Sequence, residues 1–334
     1  MAKVKLTELM KEKQLLSFEV FPPKTDKGME NLPGTIEKLC EFNPEYISCT
    51  YGAGGGNVGR NREVCQEIIK AGTTPVTHFT VIKNTKEGIK QQLEQYLAEG
   101  VDHMLALRGD IPLGETTTCG DFDYATDLVA FTRKEFGDKF EIAVAGSPEG
   151  HISCRSLDAD IAVLKMKQDN GADYIMTQLC WDMEQFKVWL DKIRSAGVTM
   201  PVDVGIMPIL DQAATINMAL SRNGCVMERE LARLISKYWL FLNPFAAKDA
   251  EGKPFDMFYE QKVRDFKEAG IEYTIKQIDA YRALGVNGIH LVCTEQVAGC
   301  IPHHQRVRNA HACLIILFTV RLDYGFCGEA AKGG

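Results

Sequence analysis

The most constraining feature of this 334-residue sequence is a repeated unit, in which a short β-rich apolar segment precedes a segment with helical periodicity. The unit recurs every 25–35 residues or so, as expected of alternating strands and helices. We predict eight strands: Ser17–Phe21, Tyr46–Tyr51, Val76–Ile82, His103–Leu107, Glu141–Ala145, Tyr174–Cys180, Val202–Ile209 and Gly288–Cys293. Such alternation predicts an α/β protein with a parallel sheet, and eight units favour a closed (β/α)8 TIM barrel in a single domain.

The segments between the strands predict the helices of the barrel. We place helices at Gly28–Phe42, Gly59–Ala71, Thr85–Glu99, Asp121–Phe136, Ser156–Asn170, Met183–Ala196, Gln212–Arg222 and Tyr273–Leu284, with an extra helical segment at Glu228–Phe241. No composition break marks a second domain before the last strand. We therefore predict a catalytic barrel over residues 1–293 and a divergent, partly helical C-terminal tail over residues 294–334.

Composition excludes several classes of function. The formal net charge of −7 disfavours a nucleic-acid surface, because phosphate binding needs clustered Lys and Arg. The longest apolar run, Ala312 to Val320, is too short to cross a bilayer, and the charged N-terminus does not resemble a secretory signal. The eleven cysteines include no CxxC pair, which favours reduced thiols in the cytoplasm. No pair of histidines has metal-ligand spacing, so we expect no metal site.

The strongest candidate for chemistry is Glu19, in the first predicted strand. Strand alternation sends Phe18 and Val20 to one face and Glu19 to the other. The apolar pair should pack outward against helices, which leaves Glu19 inside the barrel. We expect burial to raise the pKa of this carboxyl group, as suits a general acid. The alternative is a structural Glu paired with a Lys or Arg on a neighbouring strand.

Further candidates lie where other strands end, because the active sites of such barrels are built at the carboxyl ends of the strands. Arg108, Gly109 and Asp110 end the fourth strand abruptly, and they either contact a ligand or form a local Arg–Asp ion pair. His78 and His151 are single histidines of the kind that is usually structural. Lys167 either reaches a phosphate or is simply solvated.

A glycine-rich segment after the second strand matches G-x-G-x-x-G at Gly54, Gly56 and Gly59. A dinucleotide fingerprint also requires an acidic residue about 20 positions later, at the end of the next strand. The sequence there is Thr77-His78-Phe79-Thr80-Val81, which contains none. We interpret the segment as a flexible loop over the barrel mouth rather than a Rossmann phosphate loop.

Five motifs together resemble the methylenetetrahydrofolate reductase family, in its bacterial type, which consists of the catalytic barrel alone. They are SFEVFPP at Ser17–Pro23, ISCTYGA at Ile47–Ala53, HMLALRGD at His103–Asp110, SPEGH at Ser147–His151 and YIMTQLCWD at Tyr174–Asp182. The resemblance runs from about residue 15 to about residue 292. It implies a (β/α)8 barrel that holds FAD without a Rossmann domain.

The resemblance also implies an activity in one-carbon metabolism and methionine biosynthesis. The family reduces 5,10-methylenetetrahydrofolate to 5-methyltetrahydrofolate with NADH or NADPH by a ping-pong mechanism. By similarity, the catalytic residues are Glu19, the general acid that opens the methylene ring, and Asp110, which lies between flavin and pterin. The folate-binding residues are Glu19, Asp110 and Gln178. The positions that match flavin contacts are Thr50, Tyr51, Ala53, His78, Arg108, Gly109, Asp110, Tyr124, Ala125, His151, Asp160 and Lys167.

Two other functions remain open from the residues themselves. A cofactor-free lyase or aldolase could use Glu19 and Asp110 as an acid–base pair, and a non-catalytic barrel could bind a ligand without turnover. The expected partners are a folate substrate and a nicotinamide donor, without nucleic acid or membrane, and a homo-oligomer is left open.

Overall fold

The computed structural model describes residues 5–51, 58–111, 114–221, 224–238 and 259–292, and within them eight parallel strands close into one barrel. Each strand pairs with the next, and the last pairs with the first. The strands are β1 (Leu15–Val20), β2 (Tyr46–Cys49), β3 (Thr74–Thr80), β4 (His103–Leu107), β5 (Glu141–Gly146), β6 (Tyr174–Thr177), β7 (Val202–Ile206) and β8 (Gly288–Val292). The predicted TIM barrel is confirmed. The predicted boundary at residue 293 and the tail over 294–334 lie outside the described residues.

One helix precedes the first strand, and the others lie between the strands in the predicted order. They are α1 (Leu6–Glu12), α2 (Asp26–Cys40), α3 (Val58–Lys70), α4 (Lys86–Ala98), α5 (Ala125–Phe136), α6 (Leu157–Asp169), α7 (Met183–Ser195), α8 (Gln212–Leu220), α9 (Arg229–Lys237) and α10 (Tyr259–Ala283). Most boundaries differ from the prediction by one to four residues.

Two boundaries differ for a clear physical reason. The last helix begins at Tyr259 rather than at the predicted Tyr273. The prediction missed its first half because few apolar side chains are buried there, Phe266 and Ile271 among them, so the sequence shows only weak helical periodicity. Strand β7 ends at Ile206 rather than Ile209, because Pro208 has no N–H with which to continue the ladder.

The helix starts are fixed by side-chain caps just beyond the carboxyl ends of the strands. The caps are side chains that accept hydrogen bonds from backbone N–H groups in the first helical turn: Thr25, Thr85, Ser156, Asp182 and Asp211. Capping satisfies N–H groups that a helix cannot pair internally. The loops at this end of the barrel are thereby anchored on both sides, which holds any site built there.

Apolar side chains form two layers around the barrel wall. Phe18 and Val20 lie outside it, in a large cluster that includes Leu32 and Ile36 of α2, so the predicted outward direction of this pair is confirmed. Residues that face inward form a second cluster with α1 at the amino-terminal end of the strands, where Leu6 of α1 is 1% exposed. Helix α1 therefore closes this end, which the sequence did not predict.

A buried polar cluster holds α1 in this position. Glu141 Oε2 accepts a hydrogen bond from Leu6 N at 2.7 Å, and Oε1 accepts from Thr7 N at 2.8 Å. His103 bridges two carboxylates, with Nε2 3.0 Å from Glu141 Oε2 and Nδ1 2.7 Å from Asp102 Oδ1. Burial opposes its charge, but hydrogen bonds to Asp102 and Glu141 outweigh burial and raise the pKa of His103. The opposite end of the barrel is left for a ligand.

Cysteines behave as the sequence predicts over the part of the chain that the structure describes. Cys49 and Cys180 are buried in the apolar layers and are not joined in disulfides. Cys293 lies outside that part. Within it, no helix combines the length and apolar character needed to span a membrane.

Candidate active site

Glu19 lies inside the barrel toward the carboxyl ends of the strands, as predicted. Its side chain is 15% exposed, and Oε2 lies 3.4 Å from His78 Nε2 and 3.6 Å from His290 Nε2. Among the described residues, the charged partners of Glu19 are these two histidines rather than the Lys or Arg of the alternative prediction. A carboxyl group between two imidazoles, close to the open end, is placed to exchange protons with a bound molecule.

The predicted rise in the pKa of Glu19 is wrong for the protein without ligand. Burial raises the pKa, but a hydrogen bond with His290 and the electrostatic effects of His78 and His290 together lower it by more than burial raises it. Burial also lowers the pKa of His78, which favours its neutral ring at neutral pH. The alternation of side chains along β1 could not predict the lowered pKa of Glu19, because the two histidines belong to other strands.

Glu19 stands above a chain of buried polar side chains. Ser17 Oγ lies 2.7 Å from His290 Nδ1, and Ser48 Oγ lies 3.2 Å from His290 Nε2. Ser17 Oγ and Tyr46 OH both donate to Asp203 Oδ2, at 3.4 and 2.6 Å. The chain therefore connects the interior of the barrel with the Glu19 carboxylate.

Sequence reasoning missed the members of this buried chain, which are Ser17, Tyr46, Ser48, Asp203 and His290. One available signal was Ser17, which shares the face of Glu19 because it lies two positions earlier. The other was a titratable residue within a strand that is otherwise apolar, as with Asp203 in β7 and His290 in β8. Such residues need buried polar partners, and their presence in two strands predicts an interior network.

A second group of candidates lies in the sector of β4, β5 and α6. Lys167 Nζ donates to Ala145 O at 2.8 Å, and burial lowers its pKa. His151 lies within electrostatic range of Asp160, Arg108, Lys167 and Asp110; burial is the main cause that lowers its pKa. The structure thus brings five of the predicted flavin-contacting residues into one neighbourhood.

The end of β4 is not closed by the Arg–Asp ion pair that was the alternative. Arg108 Nε donates to Gly109 O at 3.3 Å, and no described carboxylate forms an ion pair with its guanidinium. Gly109 has φ of +85°, which glycine adopts without strain, and Asp110 is exposed. Arg108 and Asp110 are both left available to a ligand at the barrel mouth.

Tyr124 and Ala125 mark the start of α5 beside this sector. Tyr124 N donates to Asp127 Oδ2 at 2.9 Å, and the Tyr124 side chain is exposed. The first backbone N–H groups of a helix attract anions. Position 125 is therefore suited to hold a negatively charged group.

The two residues after β2 differ in what they can offer a ligand. Thr50 is half-buried at the mouth. The ring of Tyr51 packs against Phe79, with ring centroids 5.5 Å apart, and its hydroxyl donates to Gln92 of α4 at 2.9 Å. Tyr51 would thus contact a ligand at the mouth through its backbone. Ala53 and the glycine segment at 52–57 lie outside the described residues.

Gln178 follows β6 on the opposite side of the mouth. Its backbone N–H donates to Gly146 O, and its own Oε1 accepts from Leu179 N, both at 2.8 Å. This contact fixes the side-chain carbonyl. The amide nitrogen donates to none of the described residues, so it is available to a ligand acceptor.

The residues present fit a flavin dinucleotide in two respects. The buried Nε2 atom of His78 makes no hydrogen bond in the described part of the chain and has only the 3.4 Å contact with Glu19 Oε2, so it can still donate to or accept from a ligand. Arg108, Lys167 and the start of α5 supply the positive charge that a diphosphate requires. These groups lie at the same end of the barrel as Glu19.

Comparison with known proteins agrees with this geometry. The family model described as methylenetetrahydrofolate reductase matches residues 5–226. Methylenetetrahydrofolate reductase 1 of Schizosaccharomyces pombe is 39% identical over 208 residues, which cover 60% of this chain and 34% of that protein. The 5,10-methylenetetrahydrofolate reductase of Salmonella typhimurium is 36% identical over 196 residues, or 58% of this chain and 64% of that protein.

A solved structure from Clostridium thermocellum, of a protein that binds two copies of 5-methyl-5,6,7,8-tetrahydrofolic acid, shares the fold at a TM-score of 0.57 and 11% identity. The match covers 95% of this chain and 99% of that one. This chain spans about a third of the length of its fungal relative and under two thirds of its bacterial one. The family model covers well over half of the chain, and the resemblance predicted from the motifs is confirmed: this chain belongs to the methylenetetrahydrofolate reductase family.

Proposed function

We propose that this protein is an FAD-dependent oxidoreductase that reduces 5,10-methylenetetrahydrofolate to 5-methyltetrahydrofolate, with NADH or NADPH as donor in a ping-pong reaction. Family membership supports the reaction class. The observation that carries the proposal is the Glu19 carboxylate, 15% exposed between His78 and His290 at the open end of the barrel.

Glu19 acts in this proposal as the general acid. Its proton passes to the bridging amine nitrogen of the folate, the C–N bond to the methylene carbon breaks, and the resulting iminium carbon accepts a hydride. Bound FAD supplies the hydride transfer from nicotinamide to folate. A pterin that covers Glu19 would exclude water, and the loss of water favours the protonated carboxyl group over the ionised one.

The remaining site residues bind and orient the two ligands. Arg108, Lys167 and the start of α5 at Tyr124 and Ala125 would hold the anionic part of FAD, with His151 and Asp160 beside them. His78 would offer Nε2, which makes no hydrogen bond to the described residues, to the flavin ring. The other proposed flavin contacts are Thr50, Tyr51, Ala53, Gly109 and Asp110.

On the folate side, Gln178 would give its amide nitrogen to the pterin, and Asp110 would accept from pterin N–H groups. The proposal includes a cytoplasmic location, a barrel over residues 1–293 and a separate tail over 294–334. A homo-oligomer is compatible with it.

The purified protein provides the test. We expect a yellow protein with stoichiometric FAD, whose absorbance is bleached by NADH or NADPH and restored by 5,10-methylenetetrahydrofolate. Stopped-flow mixing of each partner separately gives both rates and the preferred nicotinamide. Colourless protein that does not bind added FAD would contradict the proposal and leave the cofactor-free lyase. Bound FAD without either half-reaction would favour the non-catalytic barrel.

A further inference from the structure

Asp203 is a buried carboxylate that the proposed reaction does not use. The residue has an exposed fraction of 0%, and its Oδ1 atom has no hydrogen-bond partner in the described part of the chain. Gly288 on the adjacent strand makes room for it, since a Cβ there would lie 2.6 Å from the Asp203 Cγ and Oδ1 atoms. An ionisable group in such surroundings destabilises the fold unless another charge offsets it, which suggests a function for Asp203.

A candidate for that charge is His290. Ser17 Oγ links the two, lying 3.4 Å from Asp203 Oδ2 and 2.7 Å from His290 Nδ1. The ring of Tyr46 stacks on the His290 ring with centroids 5.5 Å apart, while its hydroxyl donates to Asp203 Oδ2. Burial raises the pKa of Asp203, and His290, the largest opposing cause, offsets this rise only in part.

We propose that His290 holds, in the resting protein, the proton that Glu19 delivers, and that Asp203 is the positioning residue that keeps this proton on His290. The proposal rests on the role of Glu19 proposed above. It adds a proton store beneath the acid and gives a function to the fully buried Asp203.

The proton balance is simple. When folate covers the mouth, the N–H bond at His290 Nε2 breaks and an O–H bond forms at Glu19 Oε2, once the 3.6 Å separation has shortened to hydrogen-bond distance. The ion pair becomes two neutral groups, which a site without water favours. Glu19 then gives the proton to the folate nitrogen and is a carboxylate again. A solvent proton restores His290 after product leaves.

The titratable groups that face His290 lie on four other strands. They are Glu19 on β1, Tyr46 on β2, His78 on β3 and Asp203 on β7. Burial lowers the pKa of His78 and raises the pKa of the Tyr46 phenol, so both of these groups favour their neutral forms. Tyr174 on β6 is likewise a phenol with a raised pKa. The inward residues of β4 and β5, Leu105 and Ala143, are apolar. The charge of Glu45, which directly precedes β2, raises the pKa of Asp203 and so opposes its ionisation.

The test is a double-mutant cycle on the pH dependence of flavin reoxidation by methylene folate. Asp203→Asn removes the ionisable carboxyl group with little change of shape. We expect the pH above which the reaction slows to fall by about one unit, because His290 then loses its proton more easily. His290→Gln should slow the reaction about a hundredfold. In the His290→Gln background, Asp203→Asn should cause no further shift, since Asp203 acts only through His290.

Tyr46→Phe is a gentler second variant, in case Asp203→Asn does not fold. It removes one hydrogen bond to Asp203 and keeps the stacked ring. The pH above which flavin reoxidation slows should therefore fall, but by less than in Asp203→Asn. His103→Gln, at the closed end of the same barrel, is the control that should leave the pH above which reoxidation slows unchanged. Profiles of Asp203→Asn and Tyr46→Phe that superimpose on the wild type, or equal shifts with and without His290, would overturn the proposal.

An NMR titration of the ligand-free protein separates this failure from failure of the proposed function. The imidazole signal that is absent in His290→Gln belongs to His290, and Asp203→Asn must change its titration. An unchanged titration overturns the pairing of Asp203 with His290, whatever the enzyme does. If the titration changes but wild-type protein reduces no folate, the reductase assignment fails and the proton-delivery role falls with it.

Discussion

At the scale of single residues, neighbouring side chains of the same type differ in their surroundings because of where they point. Lys165 and Lys167 both lie on α6. Lys165 pairs with Asp169 on the helix surface, whereas Lys167 turns inward to Ala145 O at 2.8 Å and lies near Asp160. The sequence could not separate the two, because two positions on a helix differ in face only once the packing is known.

This contrast gives the first prediction. Lys167→Gln should weaken FAD binding by about tenfold to a hundredfold, as expected from the loss of one charged hydrogen bond to a phosphate. The measurement is a fluorescence titration of flavin-free protein with FAD. Lys165→Gln is the matched control on the same helix and should bind FAD like the wild type. Equal losses in both variants would contradict the proposed site.

The histidines show how position sets the sign of a titration. Burial lowers the pKa of His78 at the open end, and two carboxylates raise the pKa of His103 at the closed end against the effect of burial. A raised histidine pKa stabilises the fold below the unfolded pKa, and this gain is lost as pH rises through the folded value. A histidine whose pKa is lowered on folding destabilises the fold in acid, because the unfolded chain binds the proton more tightly than the folded protein does.

We therefore predict opposite pH trends for two variants. The loss of unfolding free energy in His103→Gln should shrink as pH rises above about 6.5, the ordinary histidine value. For His78→Gln, the stability of the wild type relative to the variant should increase as pH rises from acid toward about 6.5, the ordinary histidine value. Urea denaturation at a series of pH values measures both. Parallel trends would show that the two environments are misassigned.

At the scale of elements, the strands were the most predictable part. Period-2 alternation in β1 placed Phe18 and Val20 outside and Glu19 inside, because a buried barrel face fixes which side each residue takes. Alternation does not specify partners across strands. Ser17 and His290 are 273 positions apart, and no local pattern joins them.

Helix α1 shows the same limit. Its charged, short sequence predicts a helix, yet its function as the cover of the barrel depends on Glu141, which lies 134 positions from Thr7. Glu141 accepts hydrogen bonds from two backbone N–H groups of α1 and pairs with His103. Contacts of this kind form only after the barrel has closed, so the sequence alone does not show them.

The cover suggests a further prediction. Glu141→Gln should lower the unfolding free energy by about 3–5 kcal/mol, because it leaves His103 charged and buried with one partner fewer. The measurement is urea denaturation at pH 6, where His103 is protonated in the wild type. The exposed pair of Lys11 and Glu8 on α1 offers a control, since Glu8→Gln should change stability by less than about 1 kcal/mol. Similar losses in both variants would mean that α1 is not held by this cluster.

At the scale of the whole molecule, the barrel separates stability from chemistry. The closed end carries α1 and its ion-pair cluster, and the open end carries Glu19, Arg108 and Lys167. The fold class and the end that holds the site were predictable, because eight βα units and the carboxyl ends of strands are set by local patterns. The buried network beneath Glu19 was not, because it depends on which strands become neighbours.

Binding of FAD should therefore stabilise the whole barrel. At a free concentration 100 times its dissociation constant, FAD should add about 2.7 kcal/mol to the unfolding free energy. Thermal denaturation with and without added FAD measures the effect. A melting temperature that does not respond to FAD would contradict a site formed only in the folded barrel.

The most direct test of the central claim is a stopped-flow comparison of the wild-type protein with Glu19→Gln, which keeps the size of the side chain and removes its acid. We predict that NADH or NADPH still reduces the flavin of the variant, while reoxidation by 5,10-methylenetetrahydrofolate slows by about a hundredfold or more. Reoxidation of the variant at the wild-type rate would show that Glu19 does not supply the proton.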